Sequence, residues 1–480
     1  MKHDAYVNPL CTRYAGVEMQ QIFSDDRKYS CWRKLWLYLA EAEKQLGIPI
    51  TDRQIEEMKI HLVDIDYERT AREEQATRHD VMAHIRTFAA CCPEATPIIH
   101  LGATSCFVGD NTDVINMRDA MILIRKKLIS IMESLAVFAE ITKDIPTLGF
   151  THFQPAQPTT VGKRACLWLQ DLDMDLKQLD FQLSVLLPLG CKGATGTAAS
   201  FLTLFNGDAE KVRKLEEIIV KRMGFSHCQP VSGQTYSRKQ DFAVLQTLSG
   251  IAQSASKFAG DIRLLSHLRE MEEPFETHQV GSSAMAYKRN PMRSERIASL
   301  ARYVMCEVQN TAFTASSQWL ERTLDDSANR RLAIPEAFLA CDGILNLYYS
   351  IVRGMRIFPA VMEKHLQEEL PFLATENILM YCVKEKHGDR QLLHEKIRSY
   401  AAQTTDQIKL YGKENDLFTR ILSDPDFALT EEELKMVADP KKFTGMAELQ
   451  CETYLRETIF PLLEKYSADK DINMSDSITV

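Results

Sequence analysis

The chain has 480 residues, 45% of them apolar, enough for a large interior divided over two or three domains. Its 57 basic and 66 acidic side chains leave a net charge of −9, which excludes a general nucleic-acid binder and a binder of anionic membranes. Any anionic substrate must be held by a local basic cluster. No stretch is long and apolar enough to span a bilayer, and MKHDAYVNPL carries neither a secretory nor a transit pattern. The 12 cysteines include the neighbours Cys91–Cys92 but no CxxC, and read as reduced packing thiols of a cytoplasmic protein.

Residues 1–104 predict a domain of short helices. Tyr29–Leu46 places Trp32, Leu35, Trp36, Leu39 and Ala42 on one face, and Gly47 and Pro49 end it. Thr51 and Asp52 cap a second helix containing Ile55 and Met58. In ATRHDVMAHIRTF, His79 shares a helical face with Ala83 and Arg86, whereas His84 points elsewhere. A histidine in a helix is usually just hydrogen-bonded and partly buried. Here Asp80 can fix the imidazole tautomer and Arg78 can attract an anion.

Residues 105–357 predict a bundle of long helices. Thr104 and Ser105 precede Asp110-Asn111, which reads as the N-cap of the first. Val114, Met117, Met121, Ile124, Leu128, Ile131, Leu135 and Phe138 form its seam, which runs to about Thr142. That length spans about 45–50 Å at about 1.5 Å per residue. Pro146, Gly149, Pro155 and Pro158 predict an irregular loop through FTHFQPAQPTT, with Thr151 and His152 held among the prolines. Thr159 or Thr160 caps a second long helix that ends near Pro188. A shorter helix covers Ala209–Met223, a third long one Arg238–Arg269, a fourth follows Pro291, and a fifth covers about Ala328–Arg356. No β-periodic run of useful length interrupts this pattern.

Phe358-Pro359 marks a boundary, and residues 358–480 predict a third domain of short helices broken by Pro371, Gly388, Gly412, Pro425, Pro440 and Gly445. The polar stretch Ser467–Val480 is expected to fray. The fold class is therefore all-α, in three domains around a long-helix bundle. Geometry adds one inference. Thr104 and Ser105 lie near the start of the first bundle helix, and His152 lies past its end. They cannot share a pocket within one chain, so a common site needs a neighbouring subunit. The wide apolar stripes also favour an oligomer. The same up-and-down reasoning places His152 and Ser282 at one end of the bundle.

The segment richest in chemistry is Gly281–Arg296, GSSAMAYKRNPMRSER. Gly281, Ser282 and Ser283 resist helix, Pro291 starts one, and Lys288, Arg289, Arg293 and Arg296 supply positive charge. A loop feeding a helix N-terminus suits a carboxylate or phosphate. Taken alone, such a cluster is better explained as a solvated basic loop than as a site. The segment resembles the GSSxMPxKxNP motif of the fumarase/aspartase superfamily, and THFQPAQPTTVGKR resembles the second block of that superfamily. The continuation RSER and the stretch from Gln318 to Arg331 resemble the adenylosuccinate lyase family. The likeness runs from about Arg13 into the last domain. Ala286 stands where the motif has proline, which predicts a looser loop and leaves the reacting groups unchanged.

The resemblance implies a tetramer whose sites each draw on three subunits, acting on adenylosuccinate and on its imidazole-carboxamide counterpart SAICAR, and releasing fumarate from both. It makes His152 the general acid. Ser282 is then the base, with Lys288 and Asn290 offsetting the charge of an aci-carboxylate carbanion, helped by Thr104 and Ser105. Positions matching Arg322, Ser327 and Arg331 hold the nucleotide phosphate. An ion-paired helix start, with Asp325 and Asp326 as partners, explains those arginines equally well. Positions matching Arg13, Tyr14, Arg78, His79 and Asp80 contact nucleotide, and Thr151, Gln234 and Arg296 match substrate-binding positions. No metal or organic cofactor is implied, and the chain has no HExxH and no phosphate-cradling glycine loop. The alternatives are another fumarate-releasing lyase, such as one acting on argininosuccinate, or a helical scaffold of the same fold without activity.

Overall fold

The structure is a computed structural model that describes residues 4–285 and 287–467. Ala286 and residues 468–480 lie outside it, and with them the expectations of a loosened loop and a frayed tail.

The chain opens with a π-helical turn, Leu10–Tyr14, followed by α1 (Val17–Ile22), α2 (Asp25–Gln45), α3 (Asp52–Ile60), α4 (Tyr67–Thr77) and α5 (Asp80–Cys91). Ser24 caps α2, and Thr51 and Gln54 form a reciprocal capping box on α3. α4 ends with Arg78 in the left-handed conformation. His79 is therefore not inside a helix, as its spacing from Ala83 suggested. It is the N-cap of α5, where its Nδ1 accepts from Met82 N at 3.3 Å. His84 is buried and stacks on Tyr29 with ring centroids 3.7 Å apart.

The long helix α6 (Ser105–Ile141) starts at Ser105, with Thr104 at the N-cap position. Asp110 and Asn111 do not cap it. Both are buried, so they take distant partners instead: Asp110 binds Arg238, and Asn111 exchanges two hydrogen bonds with Gly190. Next comes a third departure from the sequence reading. Residues 146–160 are not irregular but an antiparallel hairpin, β1 (Pro146–Thr151) and β2 (Gln154–Thr160). Each strand of a two-stranded ribbon is an edge, so Pro155 and Pro158 can pair with Phe150 and Leu148 without breaking a ladder. His152 and Phe153 form the two-residue turn, both at positive φ (53° and 57°), as a twist-matched tight hairpin requires.

The chain continues through α7 (Val161–Val185, capped by Thr160), α8 (Ala199–Leu204), α9 (Ala209–Arg222), α10 (Lys239–His267), β3 (Met271–Glu272), α11 (Met292–Ser316), α12 (Asp325–Gly354) and β4 (Arg356–Ile357). The remaining helices are α13 (Pro359–Leu373), α14 (Thr375–Lys386), α15 (Arg390–Tyr411), α16 (Leu417–Ser423), α17 (Glu431–Val437), α18 (Ala447–Tyr454) and α19 (Phe460–Lys465).

Hydrogen bonds at the helix ends fix the bundle directions. At one end Arg238 joins the starts of α6, α10 and α12 through Asp110 and Asp326. At the other, β3 pairs with β4, and Thr147 reaches Glu270 at 3.4 Å. That end gathers the ends of α6, α10 and α12 with the starts of α7 and α11. We call these the ionic end and the hairpin end. The interior falls into three apolar clusters. One fills the bundle and takes in Cys451, Leu455, Ile459 and Leu463 of the last helices. A second joins α2, α3, α5 and the start of α6 to the segment from Cys191 to Met223. A third lies between Leu370 and Ala438.

Candidate active site

Three groups of candidate residues are visible in one chain. The first is at the ionic end. Arg331 on α12 donates to Asp80 Oδ2 at 2.6 Å, and His79 Nδ1 lies 3.7 Å from Asp80 Oδ1. Gln234 donates its amide to Glu321 O at 3.0 Å, and its Oε1 accepts from Cys106, the residue after Ser105, at 3.7 Å. Arg322 lies 3.4 Å from Asp326 Oδ2, while Asp325 accepts from Ser317 at 2.7 Å. Of the two aspartates expected to pair with the arginines, Asp326 does so. Ser327, half-buried one turn before Arg331, donates its amide to Leu324 O at 3.1 Å. Burial pushes the Asp80 carboxyl up, but Arg331 and the Val81 amide outweigh burial and hold it below its ordinary value.

A buried ionic network that the sequence reading did not single out lies under this group. Arg238 bridges Asp110 (3.0 and 3.1 Å) and Asp326 (2.6 Å), and Arg330 joins Asp241 (2.6 Å), Asp113 (3.0 Å) and the Tyr236 hydroxyl (2.5 Å). The signal was available: charged residues at positions where the seam calls for apolar ones.

The second group is at the hairpin end. His152 is exposed at the tip of β1–β2. In the loop before α11, Ser282 Oγ accepts from Met285 N at 3.1 Å and Ala284 N at 3.4 Å. Two amides aimed at one hydroxyl oxygen favour negative charge on it. Asn290 closes the loop by donating to Gly281 O at 2.7 Å. A Cβ at position 281 would meet Lys288 O at 2.1 Å, so this approach requires glycine. The start of α11 does not offer its amides to a ligand, contrary to the sequence reading. Glu273 takes Arg293 N (2.9 Å), Ser294 N and Ser294 Oγ (both 3.0 Å). Lys288 is exposed and Asn290 half-buried.

The third group joins the N-terminal turn to α11. Tyr14 and Arg296, with Met292, Glu295, Ser299 and Leu300, line a cavity of about 280 Å³. Arg13, the neighbour of Tyr14, is exposed. α6, with 37 residues, is about 55 Å long at about 1.5 Å per residue, so Ser105 and the hairpin tip are far apart in one chain. Thr104 and Thr151 follow the same division, one at each end. One further group, His61, Asp64 and Cys91, has metal-ligand chemistry. Its carboxylate already binds His61 at 2.6 Å and the buried Arg33 at 3.2 Å, which accounts for the cluster as an ion pair.

The fold is similar to that of 3-carboxy-cis,cis-muconate lactonizing enzyme from Pseudomonas putida, with a TM-score of 0.81 at 22% identity over 96% of this chain and 100% of that one. It is also similar to fumarate lyase from Mesorhizobium sp. BNC1, with a TM-score of 0.78 at 23% identity over 94% and 99%. Residues 40–306 match the family described as Lyase, so the long-helix bundle is that of a lyase. Residues 371–454 match the family described as adenylosuccinate lyase C-terminus. The chain is 49% identical to adenylosuccinate lyase of Schizosaccharomyces pombe, covering 97% of each chain. It is 48% identical to those of Schistosoma mansoni, over 99% of each, and Saccharomyces cerevisiae, over 98% and 99%. The chain belongs to the adenylosuccinate lyase family.

Proposed function

We infer that the chain is a carbon–nitrogen lyase that splits adenylosuccinate into AMP and fumarate, and SAICAR into AICAR and fumarate, in purine nucleotide synthesis. The observation that carries this reading is the 48–49% identity to adenylosuccinate lyases over nearly the whole length. Ser282 removes the proton from the succinyl carbon next to a carboxylate. The electron pair left on carbon is spread into that carboxylate, and Lys288 and Asn290 offset the added charge. The carbon–nitrogen bond then breaks, nitrogen takes its electrons, and His152 supplies the proton. The amides of Ala284 and Met285 at Ser282 Oγ support its role as base. Arg322, Ser327 and Arg331 hold the phosphate, and Arg13, Tyr14, Arg78, His79, Asp80, Thr104, Ser105, Thr151, Gln234 and Arg296 complete the binding of the nucleotide and its succinyl arm. The reaction needs no metal or organic cofactor.

The working unit is a homotetramer with sites shared between subunits. The length of α6 between Ser105 and His152 supports this, as does an exposed apolar stripe on α7, where Leu167, Met174, Phe181 and Val185 recur seven, seven and four residues apart. No described helix is long and apolar enough to cross a membrane. A cytoplasmic location follows from reading the cysteines as reduced. The test is ultraviolet absorbance during incubation with each substrate. Turnover of both is expected. Turnover of argininosuccinate alone points to the related lyase, and no spectral change with folded tetramer points to the inactive scaffold.

A further inference from the structure

In the middle of the bundle, away from both ionic groups described above, a lysine sits among apolar residues. Lys127 on α6 and Asp342 on α12 are 4% and 0% exposed, and they form a direct ion pair. Asn346, one turn along α12, accepts from Lys127 Nζ at 2.7 Å and donates to Asp342 Oδ2 at 3.2 Å. Both partners then reach outside the bundle to one place. Asp342 Oδ2 accepts from Gly16 N at 2.7 Å, and Asn346 Nδ2 donates to Tyr14 O at 3.3 Å. Gly343 lies between them, and a Cβ there would meet Tyr14 Cβ at 2.8 Å. The turn from Leu10 to Tyr14 is thus seated on the bundle by backbone bonds to one buried charged cluster and by contact with a bare glycine.

A buried ion pair is a poor source of stability, because well-packed apolar residues of similar volume usually do as well or better. What this pair supplies is direction. With Asn346 it takes the Gly16 amide and the Tyr14 carbonyl, at the end of a short turn whose last side chain, Tyr14, lines the cavity with Arg296. We propose that Lys127 and Asp342, relayed by Asn346, are positioning residues that set where Arg13 and Tyr14 meet the nucleotide. The proposal rests on the nucleotide reading of that cavity.

The test uses the full-length enzyme and AMP as the probe, with AMP affinity measured by calorimetry alongside KM and kcat. Asn346→Ala leaves the ion pair in place and removes the bond to Tyr14. Lys127→Met with Asp342→Leu replaces the pair by apolar side chains, so that folding is retained while the seat is lost. In both, KM and the Kd for AMP should rise about tenfold or more while kcat stays within about threefold, the signature of lost binding rather than lost chemistry. Gly343→Ala should give the same split by pushing the turn outward. A purely structural role lowers the melting temperature and leaves Kd unchanged. Wild-type AMP affinity in folded Asn346→Ala overturns the proposal, whatever the double variant does. Arg13→Ala separates the underlying reading from this one. If Arg13→Ala binds AMP as wild type does, the turn does not meet nucleotide at all; if it binds weakly while Asn346→Ala binds normally, only the positioning role fails.

Discussion

Arg331 on α12 meets Asp80 at the start of α5 at 2.6 Å, joining positions 251 residues apart in the chain. Arg331 is more than half exposed, and a pair of that kind contributes at most about 1 kcal/mol to folding. Its value is alignment: the carboxylate fixes the guanidinium of a residue one helical turn past Ser327. Arg331→Ala should leave the melting temperature almost unchanged and raise KM for both substrates by about tenfold or more. Unchanged KM for adenylosuccinate contradicts the assignment of a phosphate grip here.

The network beneath that pair should behave in the opposite way. Arg238 is 2% exposed and is bound to two buried carboxylates. Arg238→Met leaves Asp110 without its cation and Asp326 with only the more distant Arg322. Breaking one partner of such a cluster costs about 3–5 kcal/mol. Denaturant unfolding should report a loss of that size, and a change under about 1 kcal/mol contradicts the account.

Glu43 makes a pH prediction. It is fully buried on α2, neither carboxylate oxygen has a partner, and burial raises its pKa to about 9. The folded protein therefore keeps the proton that the unfolded chain loses from about pH 4.5 upward. The stability contributed by this group is complete below that point and is lost as pH rises towards about 9, at about 1.4 kcal/mol per pH unit. Glu43→Gln removes this dependence. Its melting temperature relative to wild type should rise between about pH 5.5 and about pH 8. A constant difference over that range contradicts the burial of an un-ionised acid.

His152 is exposed and Ser282 lies in a loop, so neither supports the core. His152→Ala and Ser282→Ala should each lose several orders of magnitude in kcat while melting as wild type does. Loss of folding in either, or turnover close to wild type, contradicts the roles given to them.

Much of this was legible in the sequence, and the misses have physical causes. The bundle helices declared themselves because Val114 to Phe138 and Phe242 to Leu265 repeat with helical spacing over many turns. Asp110-Asn111 looked like a cap because local chemistry cannot tell a capping aspartate from one buried against an arginine 128 residues away. The hairpin was hidden by Pro155 and Pro158, which argue against a strand except in a ribbon with two free edges. The site motifs named their residues by resemblance, but gave no role to Glu273, Arg238 or Asp342. They carry charge into the core, and only their three-dimensional partners explain them.

In the shared-site reading, the imidazole and the hydroxyl of one working site come from different chains. Mixing inactive His152→Ala and Ser282→Ala enzymes under conditions that exchange subunits tests it most directly. Mixed assemblies, verified by mass, should regain part of the wild-type turnover, because some sites then carry both intact groups. No recovery in verified mixed assemblies would show that the imidazole and the hydroxyl come from a single chain.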